Sequence, residues 1–216
     1  KISLYSAGEE SIASMPNIKV GKFITQVILQ NIEVEDIDLS NATDLRSAWV
    51  QNNPALQKLD LSYSTIWGQG DKETEGNGTY GSSLMVLGCP ILKEIKLPEK
   101  NELKAYRIDI ECLDALETFD MSNVKMVAEL SIGDLNKDFN LVYPELTIFY
   151  SEDGYAGTYF ACSENTFYRE STQAFLKANY TDIDPDDTVR RLGYTSSLSY
   201  DKNKGCRWRT LLNKQK

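Results

Sequence analysis

The chain contains no histidine. That absence removes the Ser-His-Asp and Cys-His forms of nucleophilic catalysis, which need an imidazole to carry the proton. It also removes zinc sites built on imidazole ligands. Cysteine is scarce, at four residues in 216 with no Cys-x-x-Cys spacing, so a thiolate metal site has no recognisable frame. Phosphate-cradling glycine patterns of the G-x-x-x-x-G-K-[ST] and G-x-G-x-x-G kinds are missing too. Apolar runs are short, and none approaches the ~18–20 residues that a membrane-crossing helix needs. Cations are outnumbered, 23 Lys and Arg against 32 Asp and Glu, for a net charge of −9. Nucleic acid calls for clustered Lys and Arg against the phosphates, so the body of the chain is not expected to bind it. The one basic concentration runs from Lys202 to Lys216, with six Lys or Arg and no acid. It would touch an anionic surface or, as the stronger expectation, the chain's own acidic body. The first residue is Lys1 and no signal-like apolar segment follows, as in a processed or truncated product.

What the sequence does have is one short pattern written repeatedly. VEDIDLS at 34–40, LQKLDLS at 56–62, LKEIKLP at 92–98 and LETFDMS at 116–122 share the form Φ-x-x-Φ-x-Φ, with Φ a bulky apolar residue. The starts at Val34, Leu56, Leu92 and Leu116 are separated by 22, 36 and 24 residues. A period near 23 fits two of the steps, and the long step would carry an insertion. Fixed periods of this size mark a solenoid. The alternation within each copy is that of a short strand with one face buried. One such strand cannot bury its face alone, but a stack of copies can.

A second pattern follows each start by 11 residues: Leu45/Ala48/Val50, Leu103/Tyr106/Ile108 and Val127/Leu130/Ile132. Each coil would then have two flattened sides with inward apolar residues. Pro54, Pro90 and Pro144 stand two residues before an apolar start, where a proline with fixed φ and no N–H suits a strand entrance. A β-sandwich would also show alternation but would not explain this phasing.

The block IDLSNATDLRSAWVQNNPALQKLDLS resembles the leucine-rich repeats of bacterial surface proteins, the internalin-like and BspA-like group. The resemblance covers Val34 to Tyr150 and is specific over Val34–Ser62. It implies a strand-dominated α/β fold, a short right-handed solenoid with N- and C-terminal caps. Residues 1–33 would form the first cap, with a short helix over Ala7–Ser14 and a strand from Phe23 to Leu29. Residues 34–150 would form the solenoid. Residues 151–216 would form a partly helical second cap, with Ser163 capping a helix that presents Phe167, Phe175 and Leu176 and runs to about Asn179. A second short helix is expected over Asp187–Leu192, and Cys206–Leu212 as strand or helix.

The candidate sites follow from that arrangement. If Ile37/Leu39, Leu59/Leu61, Ile95/Leu97 and Phe119/Met121 point inward, then Asp38, Asp60, Lys96 and Asp120 point out from a concave wall. They are flanked by Asp36, Lys58, Glu94 and Thr118. Asp38 would lie almost directly over Asp60, and like charges so opposed are mildly destabilising. The wall reads either as an acidic ladder kept for a partner or as a solvated polar face. The insertion falls within Ser64–Val86, a glycine-rich stretch whose Trp67 and Tyr80 would anchor a ligand, unless Trp67 simply fills the coil.

Cys89 and Cys112 stand just before two motif starts, at nearly equivalent places, and read as buried thiols. Cys162 and Cys206 lie outside the repeats and are the candidate disulfide of an extracellular protein. Asp182, Asp184 and Asp186 open like a calcium loop, but Asp187 and Gly193 stand where its glycine and glutamate belong, so no metal is expected. Sequons begin at Asn41, Asn77 and Asn179.

The expectation is a non-enzymatic, monomeric, cofactor-free module on a bacterial cell surface, lipid-anchored or secreted. It would bind a protein or glycan through the concave wall and the inserted loop. A carbohydrate-active enzyme with paired carboxylates and a structural spacer unit of a larger surface protein are the alternatives; adhesion is the role expected of the binding module.

Overall fold

Alternating apolar residues build two walls of parallel strands around one core. A computed structural model describes residues 1–5, 13–69, 82–136, 138–147, 151–152, 155–156, 159–179, 194–195 and 207–208. The first wall is a seven-stranded parallel sheet of β1 (Ile2–Tyr5), β3 (Gln26–Gln30), β5 (Ser47–Gln51), β7 (Ser83–Leu87), β9 (Leu103–Leu113), β11 (Val124–Leu135) and β15 (Tyr159–Cys162), in that spatial order. The second wall carries the motif. Its strands are β2 (Ala13–Lys19), β4 (Ile32–Asp38), β6 (Lys58–Asp60), β8 (Glu94–Lys96), β10 (Thr118–Asp120) and β12 (Asn140–Val142), which form three parallel pairs. The chain passes from one wall to the other and back with each coil, so the fold is a strand-dominated parallel β-solenoid. Two short antiparallel pairs, β13 (Ser151–Glu152) with β14 (Tyr155–Ala156) and β16 (Tyr194–Thr195) with β17 (Arg207–Trp208), lie outside the coils.

Register puts like residues over like. In the motif wall Ile18 pairs with Ile37, Leu59 with Ile95 and Phe119 with Leu141, and all are buried. In the other wall Val27, Ala48, Leu84, Ile108, Leu130 and Phe160 form one inward column. Leu29, Val50, Val86, Ile110, Ile132 and Cys162 form the next. Each coil hides its apolar edge against its neighbours, which is how a solenoid makes a core.

The second pattern holds at Leu45/Ala48/Val50 and Val127/Leu130/Ile132, all buried. It slips at Tyr106, which is half-buried while Ala105 takes the inward place. The buried residues of β9 run Leu103, Ala105, Ile108 and Ile110, so its alternation breaks at Tyr106–Arg107, where two successive N–H groups donate to Ser82 O as in a bulge.

The stacking begins before Val34. β1, β2 and β3 pair in register with the strands of the next coil, so residues 13–33 continue both walls. Ala13 and Ser14 are strand where a helix is expected, because the segment MPNIKV is itself a motif copy, with Ile18 and Val20 buried. The rest of Ala7–Ser14 lies outside the described residues, as do Asp187–Leu192 and most of Cys206–Leu212.

The bends just after β3, β5 and β7 and at the end of β9 share a left-handed residue. Asn31, Asn52 and Cys112 each have φ of 51°, and Gly88 has φ of 63°. Asparagine and glycine tolerate that region, and cysteine does so at a cost on the order of 1 kcal/mol. The Asn52 amide donates to Asn31 Oδ1 at 2.6 Å, joining two corners. Gly88 N–H donates to Glu111 O, which sets Cys112 beside Gly88 and Cys89 beside Leu113. The two cysteines are therefore one residue out of step, with Cys89 inside and Cys112 at the bend.

Beyond β15 the chain turns helical. Ser163 Oγ accepts from Thr166 N–H at 3.4 Å at the start of α1 (Glu164–Phe167), and α2 (Glu170–Asn179) follows. The helix breaks at Tyr168–Arg169, where the Arg169 guanidinium donates to Phe139 O at 2.8 Å and to Asn136 O. Phe175 stacks on Tyr143 at 4.5 Å and packs on Phe160 at 5.5 Å, so the helices sit on the last coil.

Candidate functional site

The outward side chains of the motif wall form two rows. One holds Asn17, Asp36, Lys58, Glu94, Thr118 and Asn140, and the other Lys19, Asp38, Asp60, Lys96, Asp120 and Val142. The fold thus brings Asp38, Asp60, Lys96, Asp120, Lys58 and Glu94 onto one face.

Their charges are already interlocked. Lys19 meets Asp38 at 3.3 Å. Lys58 bridges Asp60 and Glu94 at 3.2 Å each, and Lys96 meets Glu94 at 3.2 Å. The expected like-charge clash of Asp38 on Asp60 is relieved because each acid has its own lysine. Lysines are interleaved with the acids from β2 to β8, while Asp38 and Asp60 remain neighbours in their row.

The acids also do local structural work. Asp38 Oδ1 accepts from Ser40 N–H at 2.9 Å, Asp60 Oδ1 from Ser62 N–H at 3.0 Å, and Asp120 Oδ1 from Ser122 N–H at 2.8 Å. This is the Asx turn that lets the chain leave the strand, and it explains the Asp-x-Ser of DLS and DMS. The Ser40 hydroxyl and N–H, with Lys19 beside them, hold the Asp38 carboxyl down to about 2. Burial pushes Asp60 up, but Ser62 and Lys58 outweigh it and keep the carboxyl below its usual range. Burial likewise raises Glu94, and Lys58 with Lys96 overcomes it. Asp60 and Glu94 in turn raise Lys58.

Trp67 is not part of that surface. It is fully buried, its Nε1–H donates to Ser83 O at 3.4 Å, and its backbone N–H is held by Ser64 Oγ at 2.9 Å. A large ring in the coil interior fills the space where the back strand is delayed. Gly68 follows with φ of 80°, and a Cβ there would stand 2.5 Å from Leu103 Cδ2, so only glycine fits. Its N–H donates to Ser82 Oγ at 2.7 Å, which ties the two ends of the insertion together. Ser83–Leu87 belongs to the sheet, so the insertion is narrower than Ser64–Val86. Tyr80 lies outside the described residues, as do Asn77, Cys206 and Asp182–Asp186.

Cys162 carries a free thiol. It sits in the inward column beside Ile132, and burial pushes the thiol up to about 12. A side chain aimed into the core in this way is inert. Of the sequons, Asn41 is exposed at a corner, and the Asn179 amide donates to Phe175 O at 2.8 Å.

One cluster escapes any reading of the sequence. On the outer face of the seven-stranded sheet, Arg107, Asp109 and Glu111 stand at alternate positions of β9, with Glu129 beside them on β11. Arg107 meets Asp109 at 2.9 Å and Glu129 at 3.4 Å, and Tyr106 Oη–H donates to Glu129 at 3.3 Å. Asp109 and Glu111 are buried and hydrogen-bonded to each other. Burial pushes the Asp109 carboxyl up, against the pull of Arg107. Glycoside hydrolysis separates its carboxyls by roughly 5–9.5 Å to admit a sugar or water. A pair in mutual hydrogen-bond contact leaves no such room. The signal available was the -R-I-D-I-E- alternation, which any solvated strand face also shows.

The fold and this face define a parallel β-solenoid with one polar, solvent-facing wall. No protein-family model, curated protein or solved structure matches the chain.

Proposed function

We propose that this chain is a non-enzymatic binding module that engages a protein or glycan across its motif wall. In this reading it is a right-handed leucine-rich-repeat solenoid of the bacterial surface type, monomeric and needing no cofactor. The segment before the first full coil and the helices after β15 act as its caps. The supporting observation is the contrast between the walls: the motif wall carries exposed Lys58, Glu94 and Lys96, their side chains 46%, 42% and 49% accessible, while the outer face of the other wall is largely buried. An exposed lattice of mixed charge offers a partner both donors and acceptors in fixed register, which favours specificity over bulk affinity. The inserted loop, with Tyr80 and without Trp67, would extend the surface from its pinned base at Gly68 and Ser82.

Binding is measured on arrays of glycans and surface proteins. The Lys58→Ala/Glu94→Ala/Lys96→Ala variant is expected to lose at least tenfold in affinity for any ligand found. Asp38→Asn/Asp60→Asn/Asp120→Asn keeps the turn acceptors while removing charge, and is expected to weaken binding without unfolding. Unchanged binding in both variants overturns the assignment of this wall.

A further inference from the structure

The two walls differ in how their strands are joined. The seven-stranded sheet is hydrogen-bonded without interruption from β1 to β15, whereas the motif strands are bonded only as β2–β4, β6–β8 and β10–β12. Seams therefore run between β4 and β6 and between β8 and β10. Cα atoms still approach within 8 Å across each seam. That is less than the roughly 9.6 Å, two strand spacings, that an inserted third strand needs. Among the described residues the ion pairs of the wall respect the same division. Lys19 meets Asp38 within β2–β4, and Lys58, Asp60, Glu94 and Lys96 meet one another within β6–β8. The corners stay tied across the seams. Asn53 Oδ1 and Thr43 O hold the coils beside the first, and Pro90 O and Pro98 O those beside the second.

Strand geometry decides which peptide groups face a seam. In a parallel pair the N–H and C=O of one residue point to one side and those of the next residue to the other. Val20 N–H donates to Asp38 O, Leu61 N–H to Lys96 O and Met121 N–H to Val142 O. The peptides of Leu59, Leu61, Phe119 and Met121 thus face a bonded neighbour. Those of Ile37, Lys58 and Asp60 face the first seam, and those of Ile95, Thr118 and Asp120 the second. A peptide group outside a ladder on an accessible wall bonds to water instead. We propose that the motif wall bends at these seams, as three two-stranded leaves carried on an unbroken sheet, and so fits its curvature to a partner that spans them. This rests on the binding role assigned to the wall. A partner confined to one leaf has no differential hold on the bent and straight forms and leaves the curvature unchanged.

Amide exchange and spin-label distances in the free protein test the bend without any ligand. Protection factors of the Ile37, Lys58, Asp60, Ile95, Thr118 and Asp120 amides are expected to be about tenfold lower than those of Leu59, Leu61, Phe119 and Met121. Labels attached by non-cysteine chemistry at Asn17 and Thr118 span four strand spacings across both seams. Labels at Gln26 and Glu129 span four across the unbroken sheet, so both separations are roughly 19 Å. The first pair is expected to give a distance distribution about twice as broad as the second. Equal protection of seam and ladder amides, or equal widths for the two label pairs, overturns the bend. Neither arm uses a partner, so the result is separate from the fate of the binding reading.

Discussion

Asn53 shows how a single side chain sets the spacing of a coil. It is fully buried, and its Oδ1 accepts from the N–H groups of Val34 at 3.3 Å, Ala55 at 3.1 Å and Leu56 at 3.1 Å. One carbonyl thus serves its own turn and the coil before it. Asn53→Ala strands those buried donors and is expected to cost about 3 kcal/mol in urea unfolding. Cys89 holds the matching place one coil on, where its thiol donates to Leu87 O at 3.7 Å. Asn53→Cys should therefore cost less than Asn53→Ala. Asp109 makes an opposite contribution. Its folded-state carboxyl titrates above its ordinary value of 3.8 because burial disfavours the charge. Between those two values the native state holds more proton than the unfolded chain, so stability falls as pH rises through the window. Asp109→Asn should stabilise the protein at pH 7 and lose that advantage near pH 4, as read from unfolding midpoints across pH.

Among the elements, the motif strands were legible and the long strands were not. Φ-x-x-Φ-x-Φ fixes three inward positions in six residues, and every inward residue assigned from it, from Ile37 to Met121, is buried. The copy at 15–20 escaped notice because a proline occupies its second place and a methionine its first. β9 and β11 run for 11 and 12 residues, and a break in alternation at Tyr106–Arg107, where two successive N–H groups donate to Ser82 O, leaves Ala105 rather than Tyr106 facing in. Alternation alone does not reveal such a shift. The charge lattice was visible as residues but not as pairs, since pairing depends on which lysine reaches which acid across a rung. Exposed ion pairs contribute little, so Lys58→Ala/Glu94→Ala should change stability by less than about 1 kcal/mol. Phe119→Ala, in the inward column and 1% exposed, should cost about 3–5 kcal/mol. Chemical denaturation of the two variants side by side separates a wall held by its core from one held by its surface.

At the scale of the molecule, two walls made by the same stacking meet different fates. Sequence phasing predicts both walls, but it does not say which is covered. The buried acids of β9 read as surface residues until the register sets them beside Met85, Leu87 and Gly133 on a sheltered face. The binding role assigned to the motif wall depends on the stacking being real, rung upon rung, from β2 to β12. Dipolar distances between spin labels attached by non-cysteine chemistry test this most directly, with one label at Asn17 and the other at Lys58, Thr118 or Asn140. At roughly 4.8 Å per rung, separations near 10, 19 and 24 Å between attachment points are expected, rising with each rung counted along the wall. Distances that fail to rise in that order would contradict the stacked-coil account and remove the surface built on it.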